Sequence, residues 1–150
     1  MKVTEETVTK AIICWLDDAG WEIICFDFPQ SGTGVMLHPN NKTRGSKNKG
    51  AIIPDIVAVK NHVVVFFENK DRFFLSDFVK TQGLRDHNDY SNAIAYLLAS
   101  HDHSKIVYGV GLPHSAGTEI RVKNELNKVD FVVFYADSKI EVFFDSHEVF

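Results

Sequence analysis

The 150-residue chain has no apolar run long enough to cross a bilayer, and its first ten residues, MKVTEETVTK, do not read as a secretory leader. Both absences point to the cytoplasm and to no membrane partner. Cysteine is scarce: Cys14 and Cys25 lie in apolar stretches without a CxxC or Cys/His spacing. That sets aside a disulfide framework and a zinc site, and both thiols are expected to be reduced core side chains. No serine stands in a GxSxG elbow, and Gly32-Thr33-Gly34 lacks a lysine at P-loop spacing. His101-Asp102-His103 has no second ligand cluster at a recognisable spacing and reads as the polar end of a helix. Acidic residues are missing from Phe28 to Pro54, where Lys42, Arg44, Lys47 and Lys49 all fall. With the net charge at −4, those four positive charges leave −8 on the rest of the chain. One basic segment on an acidic body suggests a localised anion-binding site and not a generally adhesive surface.

What is present is an ordinary globular composition, 45% hydrophobic and 24% charged, in a chain sized for one domain over residues 1–150. Such a length buries about 70% of the unfolded surface. The most informative stretch is Ile52 to Lys70, IIPDIVAVKNHVVVFFENK, in which Asn61-His62 is the sole polar break between two β-branched runs. Those two residues are expected to form a hairpin loop. Lys60 then pairs with Val63, and counting outward sets Val57 against Phe66 and Asp55 against Glu68, with Lys70 on the same face. Apolar residues occupy both faces, so the two strands are expected to be central in a sheet.

Facing carboxylates about 5 Å apart repel by roughly 3 kcal/mol at an effective dielectric near 20. Something positive should sit between them. Lys70 supplies one charge; a divalent cation with oxygen ligands would supply the rest, whereas a purely structural ion-pair cluster is the plainer reading.

Pro54-Asp55, followed thirteen residues later by Glu68-Asn69-Lys70, resembles the signature of the PD-(D/E)XK nuclease superfamily, the restriction-endonuclease-like fold. The resemblance covers roughly residues 1–112. It implies an α/β architecture with an αβββαβ core, a mixed central sheet flanked by helices, and leaves an αββ extension over residues 113–150. It also implies that Asp55, Glu68 and the backbone carbonyl of Asn69 ligate Mg2+, for which Mn2+ can substitute, while Lys70 orients the attacking water and stabilises the pentavalent transition state. Members of the superfamily often carry a metal-site glutamate on the first helix, and Glu5 is the residue implied here; the helix dipole alone also favours a carboxylate at that position. Some related nucleases carry Gln and Tyr four residues apart on the helix after the lysine. Here Gln82 and Tyr90 are eight apart, a departure from the RecB-like branch.

The remaining elements fall in order. A first helix runs from Glu5 to Ala19, with Thr4 as N-cap, Val3 and Val8 as hydrophobic staple and Gly20 closing it. Trp21 to Phe28 reads as a strand ended by Pro29. The long segment Gln30 to Gly50 is either functional, with its lysines and arginine contacting phosphates, or a solvated loop. Ser76 is the expected cap of a helix carrying Leu75, Phe78 and Val79 on one side and Lys80 and Arg85 on the other, both available to a nucleic-acid backbone. A helical piece from Asn92 to Ser100, a strand from Lys105 to Leu112, a helix from Thr118 to Leu126 and a hairpin across Asp137-Ser138 complete the chain.

A mildly acidic body suits an endonuclease with a restricted contact surface, so a Type II restriction-type DNA endonuclease is the favoured expectation. Cutting both strands of a palindrome requires a homodimer, because one chain has one site. A Holliday-junction resolvase or DNA-repair nuclease is the alternative within the same class. A non-catalytic DNA-binding subunit with a nuclease-like fold is the alternative of another class.

Overall fold

The computed structural model describes residues 2–41 and 50–150. Thr4 caps the first helix, α1 (Glu5–Asp18), by accepting the Thr7 N–H at 3.1 Å. Val8, Ile12 and Leu16 form its buried stripe, while Ala19, just past its end, is exposed. Cys14 also faces solvent, which corrects the expectation of two core thiols; it sits two residues from Ile12, nearly opposite the stripe.

Three strands follow: β1 (Glu22–Phe26), β2 (Ile56–Lys60) and β3 (Val63–Asn69). The β2–β3 register runs from Lys60–Val63 out to Ile56–Phe67, as the sequence suggests. Asn61 and His62 both take positive φ, 50° and 66°, the conformation of a two-residue turn whose twist matches its strands. Asp137 and Ser138 do the same, at 49° and 66°, between β5 (Phe131–Ala136) and β6 (Lys139–Asp145).

Between these hairpins lie α2 (Leu75–Asp86), α3 (Ser91–Leu97), β4 (Lys105–Pro113), α4 (Ala116–Lys123) and a 3-10 turn at Leu126–Lys128. Helix α2 begins before Ser76 and has no side-chain cap. Its buried residues are Asp77, Phe78 and Thr81, whereas Leu75 and Val79 are exposed, so the packed side is turned away from the one the apolar residues suggest. The six strands form one mixed sheet in the order β1-β2-β3-β4-β5-β6, parallel at β3–β4 and β4–β5 and antiparallel elsewhere. The C-terminal αββ segment therefore extends the sheet.

Helix α1 packs on one face against Ile56, Ala58, Val65, Phe67, Phe131 and Val133, and Phe150 closes that layer among Trp15, Trp21 and Phe131. Phe78, Ile94, Leu98 and Val122 bring α2, α3 and their neighbours onto the other face. Two glycines of β4 make room on the α1 face, Gly111 for the helix itself and Gly109 for the Phe131 ring of the neighbouring strand. A Cβ on Gly111 would lie 2.5 Å from Ile12 Cδ1, and one on Gly109 would lie 2.3 Å from Phe131 Cδ1. The described ends of the long loop are tied down. Leu37 and Ile52 exchange backbone hydrogen bonds, and Asn40 bonds Asn88, Ser91 and Asn92 at the start of α3.

Candidate functional site

The site forms where β2 begins, β3 ends and the first turns of α1 and α2 meet them. Asp55 is 6% exposed and its backbone is clamped from both sides: it donates to Phe67 O at 3.1 Å and accepts the Asp27 N–H at 2.9 Å. The regular β2–β3 ladder stops at Ile56–Phe67, one pair short of a direct Asp55–Glu68 facing. Instead, Asp55 Oδ2 accepts the Asn69 N–H at 2.7 Å. The carboxylate thus fills the place of a strand carbonyl.

Glu68 points to the face that carries α2. Lys80 reaches both of its oxygens, at 3.2 and 3.3 Å, and Lys70 Nζ lies 3.8 Å from Oε1. Lys80, expected on an open helix surface, is therefore part of the site. The next backbone amide, Lys70 N–H, donates to Gly111 O at 3.1 Å. Since a trans peptide sets C=O opposite the following N–H, the Asn69 carbonyl is turned away from β4 and toward the Asp55 side. The Asn69 side chain lies on the other face, where Nδ2 donates to Thr9 Oγ1 at 3.2 Å.

Electrostatics link Glu5 and a residue absent from the sequence reading, Asp77, to this group. Burial, then the charge of Glu68, pushes Asp55 up to about 8, against the Asn69 hydrogen bond; Glu5 raises it further and Lys70 opposes. Burial also raises Asp77 to about 6, with Lys70 pulling the other way. Glu5 is raised by burial and by Glu68, again against Lys70. Burial alone would lower Lys70, but the fields of Asp77, Glu5, Glu68 and Asp55 more than offset it and raise its pKa. Four carboxylates are thus opposed by two ammonium groups, Lys70 and Lys80. When all are ionised, the cluster is short of two positive charges.

Asp77 Oδ2 is buried and has no hydrogen-bond partner among the described residues. The sequence carries a faint signal for it: positions 77, 78 and 81 share one helical side, and Phe78 and Thr81 are buried there. A carboxylate in a helix's first turn is otherwise so common that it attracts no notice.

The donor set is all oxygen, which suits a hard divalent cation. Among the described residues, no group of three or more His, Cys, Asp or Glu side chains is arranged to hold a metal ion. Any ion here would accordingly rest on two carboxylates, the Asn69 carbonyl and solvent or substrate oxygens, a set that fits magnesium's habit of keeping several waters. A narrow pocket lined by Pro54, Phe66, Glu68, Lys80 and Thr81 opens beside the carboxylates.

The other expected contacts fare differently. Arg85 is matched already, donating to Asp86 at 2.7 Å and to Asn127 O at 3.1 Å and pairing with Asp130 at 3.5 Å. Lys42, Arg44, Lys47 and Lys49 lie outside the described residues. His101 pairs with Glu22 at 2.5 Å, at the opposite end of β1 from Asp27. No helix among the described residues is long and apolar enough to cross a membrane. No family model, curated protein or solved structure matches this chain.

Proposed function

We propose that the chain is a Mg2+-dependent DNA endonuclease of the PD-(D/E)XK type, with the restriction-endonuclease-like core over residues 1–112. The observation that carries this reading is the gathering of carboxylates at the end of β3: once ionised, Asp55 and Glu68, with Glu5 and Asp77 behind them, exceed the two lysines by two charges, and burial with the charge of Glu68 holds Asp55 protonated up to about pH 8. A divalent cation supplies that amount. The mixed sheet and the order helix, three strands, helices, strand support the fold assignment.

In this reading Asp55, Glu68 and the Asn69 carbonyl hold the ion, which when bound polarises the phosphate and lowers the pKa of water. Asp55 is fixed by Asn69 N–H and by Asp27 and Phe67, so it needs no reorganisation to bind. Lys80 gives up Glu68 and becomes free to meet a phosphate oxygen. Lys70 orients the attacking water and offsets charge on the pentavalent transition state. The first turns of α1 and α2 add the positive ends of two helix dipoles. Lys42, Arg44, Lys47 and Lys49 are assigned to the DNA backbone on either side of the scissile bond. One site per chain makes a homodimer the working unit for a restriction-type double-strand cut.

Incubation with supercoiled plasmid and long genomic DNA in Mg2+, Mn2+ or EDTA tests the proposal. Discrete metal-dependent bands, lost in Lys70→Ala, are the expected result. Absence of cleavage on plasmid, genomic and four-way-junction DNA with every metal sinks it and leaves a structural ion cluster.

A further inference from the structure

We propose that Asp77 is a second seat for the Lys70 ammonium, taken up when a cation occupies Glu68, and that Asp77 is thereby a positioning residue for the lysine. The proposal rests on the metal reading of Glu68 given above.

Lys70 and Lys80 crowd onto one carboxylate: Lys80 spans both oxygens of Glu68, and Lys70 stands at 3.8 Å. Asp77, one helical turn before Lys80, is 7% exposed and has an oxygen with no donor among the described residues. A buried acceptor left unmatched is destabilising, because it has given up water without gaining a donor. Its neighbour Thr81 does not serve it, because the hydroxyl donates to the Asp77 backbone carbonyl at 2.7 Å. Asp77 and Lys70 lie in one another's field, the ammonium opposing the rise of the aspartate and the aspartate helping to raise the lysine, although the carboxylate within 4 Å of Lys70 is Glu68.

With a cation held by Glu68, both ammonium groups would be repelled from that carboxylate. Lys70 has a flexible four-carbon stem, and its side chain is 31% exposed, so it has room to turn. Among the described residues, Asp77 Oδ2 is the acidic oxygen near Lys70 that is buried and unbonded. An ammonium anchored there keeps two protons for the water and the phosphate. Without Asp77 the same lysine is present but free to rotate, and a misplacement of about 1 Å can cost on the order of 100-fold in rate.

The test is a 1H–15N correlation spectrum of the lysine NH3+ groups in 15N-lysine-labelled full chain, in EDTA and in Mg2+, with Lys70→Gln to assign the signal. In the wild type, Mg2+ should bring up a slowly exchanging Lys70 signal. In Asp77→Ala that signal should be missing, and kcat on plasmid should fall about 10- to 100-fold while KM and the Mg2+ midpoint stay within about twofold. Asp77→Asn, which keeps the shape and removes the charge, repeats both readouts should the alanine variant not fold. A Lys70 signal that ignores Mg2+, or one that responds equally in the variants, overturns the proposal, as does a kcat loss with an unmoved signal. If the wild type cuts no DNA but Lys70 still moves to Asp77, the nuclease reading fails and the second seat stands.

Discussion

Asp55 accepts the backbone N–H of Asn69 at 2.7 Å, so one ionisable side chain completes the hydrogen bonding at the open end of the β2–β3 ladder. The bond fixes Asp55 with its other oxygen left for a ligand, and it binds the site's electrostatics to the stability of the sheet.

The first consequence concerns pH. An unfolded aspartate ionises near pH 4, roughly; in the fold Asp55 is pushed up to about 8, first by burial and then by Glu68. Between those values the native state holds a proton that the unfolded state has released, so stability falls as pH rises through the window. In EDTA, Tm should therefore decline from pH 5 to 8.5, at roughly 2–4 °C per kcal/mol lost. Asp55→Asn should flatten the decline, and Mg2+ should reverse it in the wild type alone. Identical profiles for wild type and variant in a calorimeter would count against the assigned burial of charge.

Lys80 competes with any cation for Glu68. An exposed ion pair is worth about 0.2–1 kcal/mol, a factor of about 1.5 to 5 in binding. Lys80→Ala should accordingly lower the Mg2+ concentration for half-maximal thermal stabilisation by that factor. A midpoint that rises instead would show Lys80 helping to hold the ion.

Gly111 and Gly83 should respond to alanine in opposite directions. At Gly111 the new methyl would press on Ile12 Cδ1 at 2.5 Å and on Asn69 Oδ1 at 2.6 Å. Overpacking of this kind costs about 1–3 kcal/mol, and it disturbs the residue that holds Asp55. Gly83 lies within α2 with nothing inside 4 Å of a built Cβ. There alanine should stabilise by about 0.5–1 kcal/mol. Urea unfolding of both variants checks the pair.

Arg85 should prove structural. It ties α2 to Asn127 and to Asp130, and Asp130 in turn accepts the Tyr108 N–H at 2.9 Å. Arg85→Ala should cost about 1–3 kcal/mol in urea unfolding and leave KM for DNA unchanged. A KM that rises with stability intact would restore its expected DNA contact.

The two thiols should separate cleanly. Cys14 is exposed, while burial pushes Cys25 up to about 11. One equivalent of thiol should react rapidly with a disulfide reagent in the native protein, and the second only after unfolding. Two fast equivalents would contradict the packing around Cys25.

The hairpin was legible because Asn61-His62 interrupts two β-branched runs and a two-residue loop leaves a single register. Helix α1 announced itself through Thr4 and the spacing of Val8, Ile12 and Leu16. The side chains of α2 were misjudged: its apolar count favoured Leu75 and Val79, yet the sheet takes the side bearing Asp77, Phe78 and Thr81. Only tertiary contact makes that choice, and it turns Lys80 toward Glu68 and leaves Asp77 buried. The end of the ladder was also beyond sequence, since pairing arithmetic extends a register indefinitely and does not foresee a side chain replacing a carbonyl.

Strand order in the sheet equals strand order in the chain. Every strand after the first finds its partner already made, so the sheet can grow one strand at a time during synthesis, although pairings such as Glu22 with Val59 and Val63 with Lys105 span long separations and carry a loop-closure cost. The charged residues of the cluster, from Glu5 to Lys80, all precede β4, whereas the Gly111 carbonyl that holds Lys70 arrives later. Synthesis therefore delivers the acidic cluster before the strand that braces it, and the last two strands are added to a sheet whose chemistry is already in place.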